Sequence, residues 1–145
     1  MSLLCSGAQD VLGLLASAGI ELAWHPSLSE ASGDEVRAIL ADFESGRTPL
    51  DLLCVEGSLL TGPNGSGRFH MLGGTGRPMI DWVRSLAARA RYTLGVGTCA
   101  TYGGVTAGGI NPAGAIGLQY DGNQRGGLLG PDYRSAAGLP VINIA

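Results

Sequence analysis

The sequence predicts an α/β protein built on a doubly wound parallel sheet. Two observations carry that prediction. Helical and extended patterns alternate along the chain in the order α-β-α-β-α-β-loop-β, which favours right-handed crossovers between parallel strands. The run Leu50–Val55 is nearly continuous in apolar residues, as in a strand covered on both faces. Two of the strands also end in residues able to do chemistry. One runs into Glu56, Gly57 and Ser58, the other into Gly97, Thr98 and Cys99. Open parallel sheets gather ligands at the carboxyl ends of their strands, so a carboxylate and a thiol there read as parts of one site.

Taken in order, Val11, Leu14, Leu15 and Ala18 fall at helical spacing, and Gly19 stops the run. Ile20–Trp24 is a short apolar run predicted as a strand, ended by His25 and Pro26. Ser32 and Glu35 have the spacing of a capping box. Val36, Ile39, Leu40 and Phe43 make one apolar helical stripe closed by Gly46. After the Leu50–Val55 strand, residues 57–77 form a glycine-rich loop. Pro78 suits the first turn of the next helix, with Met79, Ile80, Val83, Leu86 and Ala90 facing inward. Tyr92–Val96 is the next strand. Residues 100–138 read mostly as loop, because Gly, Asn, Pro and Asp recur without a period. Val141–Ile144 lies in the final strand. A helix with no strand before it and a strand with nothing after it give the expectation of a partial domain over residues 1–145.

Composition narrows the function classes. A chain of 145 residues suits one domain, and a net charge of −3 argues against a nucleic-acid-binding face. Glycine is the outlier, at 25 residues, and points to tight turns and close backbone approaches. Three cysteines are too few and too scattered for a disulfide framework, so a reducing compartment is expected. No run is long and apolar enough to span a membrane. The N-terminus has no basic n-region and no cleavage pattern. A cytoplasmic location, or the cytoplasmic face of a membrane, is the expectation.

Single motifs are weaker. Gly62 and Gly67 have P-loop spacing, but Arg68 and Phe69 stand where that motif needs Lys and Ser or Thr. His25 and His70 have no ligand-spaced neighbours. Gly57–Ser58 lacks a nucleophile elbow. Cys5, among leucines, and Cys54, inside a strand, read as structural thiols. Cys99 follows its strand at a loop rich in backbone N–H groups. It has the options of structural thiol, nucleophile and metal ligand. Glu56 could carry a proton, orient a neighbour or simply end a loop.

The motifs in combination are more specific. Trp24-His-Pro-Ser-Leu-Ser29, Cys54-Val-Glu-Gly-Ser58, Gly62-Pro-Asn-Gly-Ser-Gly-Arg-Phe69, Pro78-Met-Ile-Asp-Trp82 and Val96-Gly-Thr-Cys-Ala-Thr-Tyr-Gly-Gly104 occur in that order. Together they resemble the small subunit of [NiFe] hydrogenases, a domain shared with a subunit of respiratory NADH:quinone oxidoreductase. The resemblance implies a flavodoxin-like, three-layer α/β/α domain carrying the proximal [4Fe–4S] cluster beside a large subunit that oxidises H₂. It implies Cys99 as one thiolate ligand and a cofactor shell of Glu56, Gly57, Ser58, Gly97, Thr98, Ala100 and Thr101. The glycine-rich loops 57–77 and 100–138 become the large-subunit interface.

The departures shape the expectation equally. The first strand of that family and its Cys-x-x-Cys pair have no counterpart here, nor does the later Gly-Cys-Pro. A [4Fe–4S] cluster takes four thiolates, and Cys5 and Cys54 match no ligand position. The chain is therefore expected to be a segment of such a subunit, with no catalytic residue of its own and the cluster completed only in the full-length parent. The alternative is a cluster-free α/β binding or scaffold module.

Overall fold

The computed structural model describes residues 10–145. They fall into two units, one running to Ile39 and one from Leu40 to Ala145. Cys5 lies outside the described residues.

The first unit contains helix α1 (Val11–Ser17) and the start of α2 (Asp34–Ser45). Asp10 caps α1, its carboxylate accepting from the Gly13 N–H at 2.6 Å. The left-handed Gly19 (φ +70°) follows it. The strand expected over Ile20–Trp24 is not formed. This run has no ladder partner among the described residues, and an extended segment without one keeps its backbone groups for solvent. The stop at His25 is local: its ring Nδ1 accepts from the Ser27 N–H at 3.1 Å, and the Ser29 hydroxyl accepts from the His25 N–H at 2.8 Å. The α2 stripe is as expected, with Val36, Leu40 and Phe43 buried and Gly46 (φ +78°) past the end.

In the second unit β1 (Leu52–Glu56) is followed by β2 (Leu59–Leu60), α3 (Met79–Ala87) and β3 (Tyr92–Val96). Then come α4 (Gly97–Tyr102), a 3₁₀ turn (Gly104–Ala107), β4 (Ala115–Ile116), β5 (Tyr120–Asp121), β6 (Gln124–Arg125) and β7 (Ile142–Ile144). The main sheet is parallel, in the order β1-β3-β7. Parallel pairing of strands separated by helix and loop is the predicted α/β arrangement. Two short antiparallel ladders, β2 with β4 and β5 with β6, run through the segment expected to be irregular. Residues this short give no readable alternation.

The core lies on one side of the sheet. Val55, Leu59, Ile80, Val83, Ala100, Leu118, Leu128 and Val141 cluster there, with Leu53, Met79 and Tyr133 packed against them. Pro78 is the N-cap of α3 rather than its first turn, and Trp82 joins the expected inward residues. Arg77 clamps α3 to the end of α2. Its guanidinium donates to Glu44 Oε1 (2.7 Å), the Asp81 carbonyl (2.9 Å) and Ser85 Oγ (3.0 Å), and lies 4.3 Å over the Trp82 ring. The Arg77 hydrogen bond, with Ser85, holds the Glu44 carboxyl below its ordinary range against partial desolvation. The other sheet face carries exposed side chains. Cys54, Val96, Ile142 and Ile144 are exposed there, so β1 is not covered on both faces as its composition implied. Cys54 is consequently not the buried thiol that its strand position suggested. The surrounding protein still desolvates its sulfur enough to raise the thiol pKa.

Candidate functional site

The two strand ends named from sequence do meet. Glu56 pairs in register with Val96, so the carboxyl ends of β1 and β3 lie side by side. β1 turns at Gly57 (φ +93°), and β3 passes through Gly97 (φ +80°) directly into α4. Cys99 is therefore on the first turn of a short helix, not in an open turn. Its thiol is half-buried, Ala100 and Thr101 behind it are fully buried, and Thr98 and Glu56 are exposed. No side chain caps the opening N–H groups of α4 at Val96. They are the donors available to a group resting against the strand ends.

The helix is held from behind. Thr101 Oγ1 donates to the Gly97 carbonyl at 3.0 Å. The Leu118 N–H donates to the Ala100 carbonyl at 2.7 Å. Gly117 packs so closely that a Cβ there would lie 1.9 Å from the Thr101 carbonyl oxygen. The carbonyls of Ala100 and Thr101 thus face the β4–β5 segment. Both residues sit directly after Cys99 on the buried side of α4.

A second support comes from a distance of 45 residues. Ser58 Oγ donates to the Gly103 carbonyl at 2.8 Å and lies 2.6 Å from Thr106 Oγ1. Thr106 Oγ1 also donates to the Gly103 carbonyl, at 2.8 Å. Gly103 ends α4 at φ +88°, its N–H returning to the Cys99 carbonyl at 2.9 Å. Gly104 (φ +59°) follows, its Cα so near the thiol that a Cβ there would lie 2.4 Å from Cys99 Sγ. Sequence reading selected Ser58 but missed Gly103, Gly104 and Thr106. The glycine pair after the cysteine was the visible signal. Val105, on this turn, is 92 % exposed, and Ile110, further along the same segment, is 97 % exposed.

Other candidates separate from the site. In the Gly62–Phe69 loop the Ser66, Gly67 and Phe69 N–H groups bond to the loop's own carbonyls or to Thr61. They are spent on the turn, not presented to a phosphate. His70 is exposed in the same loop. Among the described residues no group of three or more His, Cys, Asp or Glu side chains converges. None of the described helices is long and apolar enough to cross a membrane.

The family model described as NADH ubiquinone oxidoreductase, 20 kDa subunit, matches residues 1–145. The Hydrogenase-2 small chain of Escherichia coli K12 is 34 % identical over 100 residues, covering 69 % of this chain and 26 % of that protein. The periplasmic [NiFe] hydrogenase small subunit 1 of Nitratidesulfovibrio vulgaris Hildenborough is 32 % identical over 123 residues, covering 83 % and 35 %. Among solved structures, the actinobacterial-type NiFe-hydrogenase from Ralstonia eutropha H16 superposes with a TM-score of 0.74 at 31 % identity, covering 97 % of this chain and 42 % of that one. The chain thus spans roughly a quarter to two fifths of the proteins it resembles.

Proposed function

This chain belongs to the NADH ubiquinone oxidoreductase 20 kDa subunit family, and from that membership we propose that it is the electron-transfer segment of a [NiFe] hydrogenase small subunit. Its hydrogenase relatives support the assignment. One observation in the structure carries it: Cys99 stands at the carboxyl end of a parallel strand, beside the Glu56–Ser58 turn, with a helix opening around it.

The residues present do not by themselves fit a four-iron cluster. The sequence has three cysteines, one fewer than the four thiolates required. Of the two described, Cys54 sits exposed in mid-strand while Cys99 sits at the strand end. In the proposed reading this segment contributes one thiolate, Cys99, to the proximal cluster of a longer small subunit. Glu56, Gly57, Ser58, Gly97, Thr98, Ala100 and Thr101 form the protein wall around that thiolate. Nothing catalytic is assigned to this chain. H₂ chemistry belongs to the large subunit, and the role here is to seat the path by which electrons leave it.

Val105 and Ile110 support the partner half of the reading. Val105, almost fully exposed on the turn that packs against Cys99, and Ile110, almost fully exposed five residues later, are apolar side chains that a partner surface would cover. Co-expression with the [NiFe] hydrogenase large subunit from the same genome tests it. Co-purification of the wild-type chain, lost in a Val105→Asp/Ile110→Asp double variant, is expected. No co-purification of the wild type would count against the interface. The cysteine count favours a second reading, an α/β scaffold that binds the partner without any cluster. It keeps the co-purification and predicts that Cys99→Ser leaves the electron-transfer rate of the assembled enzyme unchanged.

A further inference from the structure

We propose that Ser58 and Thr106 are positioning residues, and that together they hold the Gly103–Gly104 turn against the Cys99 sulfur and so set the exposure of that thiol. The proposal deepens the reading of Cys99 given above and rests on it.

The geometry has three parts. Gly104 lies against Cys99, with room for no side chain: a Cβ would come within 2.4 Å of Sγ and 2.9 Å of the Cys99 Cα. The turn therefore acts as a wall for the thiol, and moving the turn moves the wall. The turn is not held by helix hydrogen bonds alone. Beyond the Gly103 N–H bond to Cys99, its carbonyl is the shared acceptor of two hydroxyls, Ser58 Oγ and Thr106 Oγ1, each at 2.8 Å. The hydroxyls are also 2.6 Å from each other. Two hydroxyl protons serve three close approaches, so two of the three are hydrogen bonds at any moment: both hydroxyls donate to the Gly103 carbonyl, or one donates to it while the other donates to that hydroxyl. Ser58 arrives from the loop after β1, whereas Thr106 belongs to the turn itself. The latch therefore ties the turn that follows Glu56 to the wall over Cys99. The same turn carries Val105, almost wholly exposed. Pressure on Val105 from a docked partner would bear on the element that the latch holds.

The test compares alkylation of Cys99 with that of Cys54 in the same 145-residue chain. Iodoacetamide labelling is followed peptide by peptide by mass spectrometry, and circular dichroism monitors the fold. Ser58→Ala and Thr106→Ala are expected to raise the Cys99/Cys54 rate ratio by about fivefold, the population shift from losing one hydrogen bond. Thr106→Ser keeps the hydroxyl and is expected to leave the ratio at the wild-type value. Gly104→Ala is expected to change the ratio without either hydroxyl being touched. An unchanged ratio in both alanine variants overturns the proposal. So does a rise at both thiols together, which reports general loosening, or a Thr106→Ser variant that behaves like Thr106→Ala. Iron and partner play no part in this assay, so the latch can fail while the reading of Cys99 stands.

Discussion

Gly117→Ala isolates how tightly the Cys99 helix is backed. The added Cβ would lie 1.9 Å from the Thr101 carbonyl oxygen, 2.3 Å from its carbon and 2.7 Å from the Tyr102 nitrogen. All three are backbone atoms, so no side chain can turn aside. Ordinary van der Waals spacing requires the two segments to part by about 1.5 Å. That displacement breaks the 2.7 Å bond from the Leu118 N–H to the Ala100 carbonyl. Overpacking of this kind costs about 1–3 kcal/mol and the lost bond about 1 kcal/mol. Offset by a smaller unfolded-state entropy gain, the net is about 2 kcal/mol. In a chain of this size that lowers Tm by about 7 °C. Gly73→Ala is the control, because nothing lies within 4 Å of its Cβ and its φ is not in the left-handed region. It is expected to stay within about 1 kcal/mol of wild type. Urea denaturation followed by circular dichroism gives both values. A Gly117→Ala variant as stable as Gly73→Ala would refute the close backing of the helix.

Two further outcomes follow from the second unit. Arg77→Ala removes the Glu44 ion pair and the contact over Trp82 and is expected to cost about 1 kcal/mol at neutral pH. Because Glu44 titrates below its unfolded value, its share is fully present above about pH 4.3 and is lost as pH falls through the folded pKa. The gap between wild type and variant should narrow in acid denaturation curves, and a constant gap down to the lowest pH would contradict the pairing. Tyr133→Phe leaves the fully buried Thr93 hydroxyl and the Ala87 carbonyl without their 2.8 and 2.7 Å partner. It is expected to lower the urea midpoint by the equivalent of about 1–3 kcal/mol, and an unchanged midpoint would contradict that role.

What could be read from sequence was what local pattern and topology decide together. The stripes of α2 and α3 were visible because amphipathic spacing survives in any context. The meeting of Glu56 with the Gly97–Cys99 segment was visible because parallel strands must bring their carboxyl ends to one edge. Ile20–Trp24 failed because an apolar run becomes a strand only beside another strand. α4 was missed because Gly97–Tyr102 is too short to show a helical period and contains two threonines, which are poor helix formers. The Ser58–Gly103–Thr106 latch joins residues 45 and 48 positions apart through hydroxyls. No periodicity encodes such a contact. Gly117 could be recognised only as one glycine among 25.

In the reading proposed above, Cys99 is one thiolate of a set that this chain does not complete. Iron and acid-labile sulfide, measured on the 145-residue chain after anaerobic reconstitution and compared with Cys99→Ser, test it most directly. The account predicts iron far below one four-iron cluster per chain, unchanged by the substitution. Stoichiometric iron and sulfide that disappear in Cys99→Ser would contradict it, because the chain would then have assembled a complete ligand set.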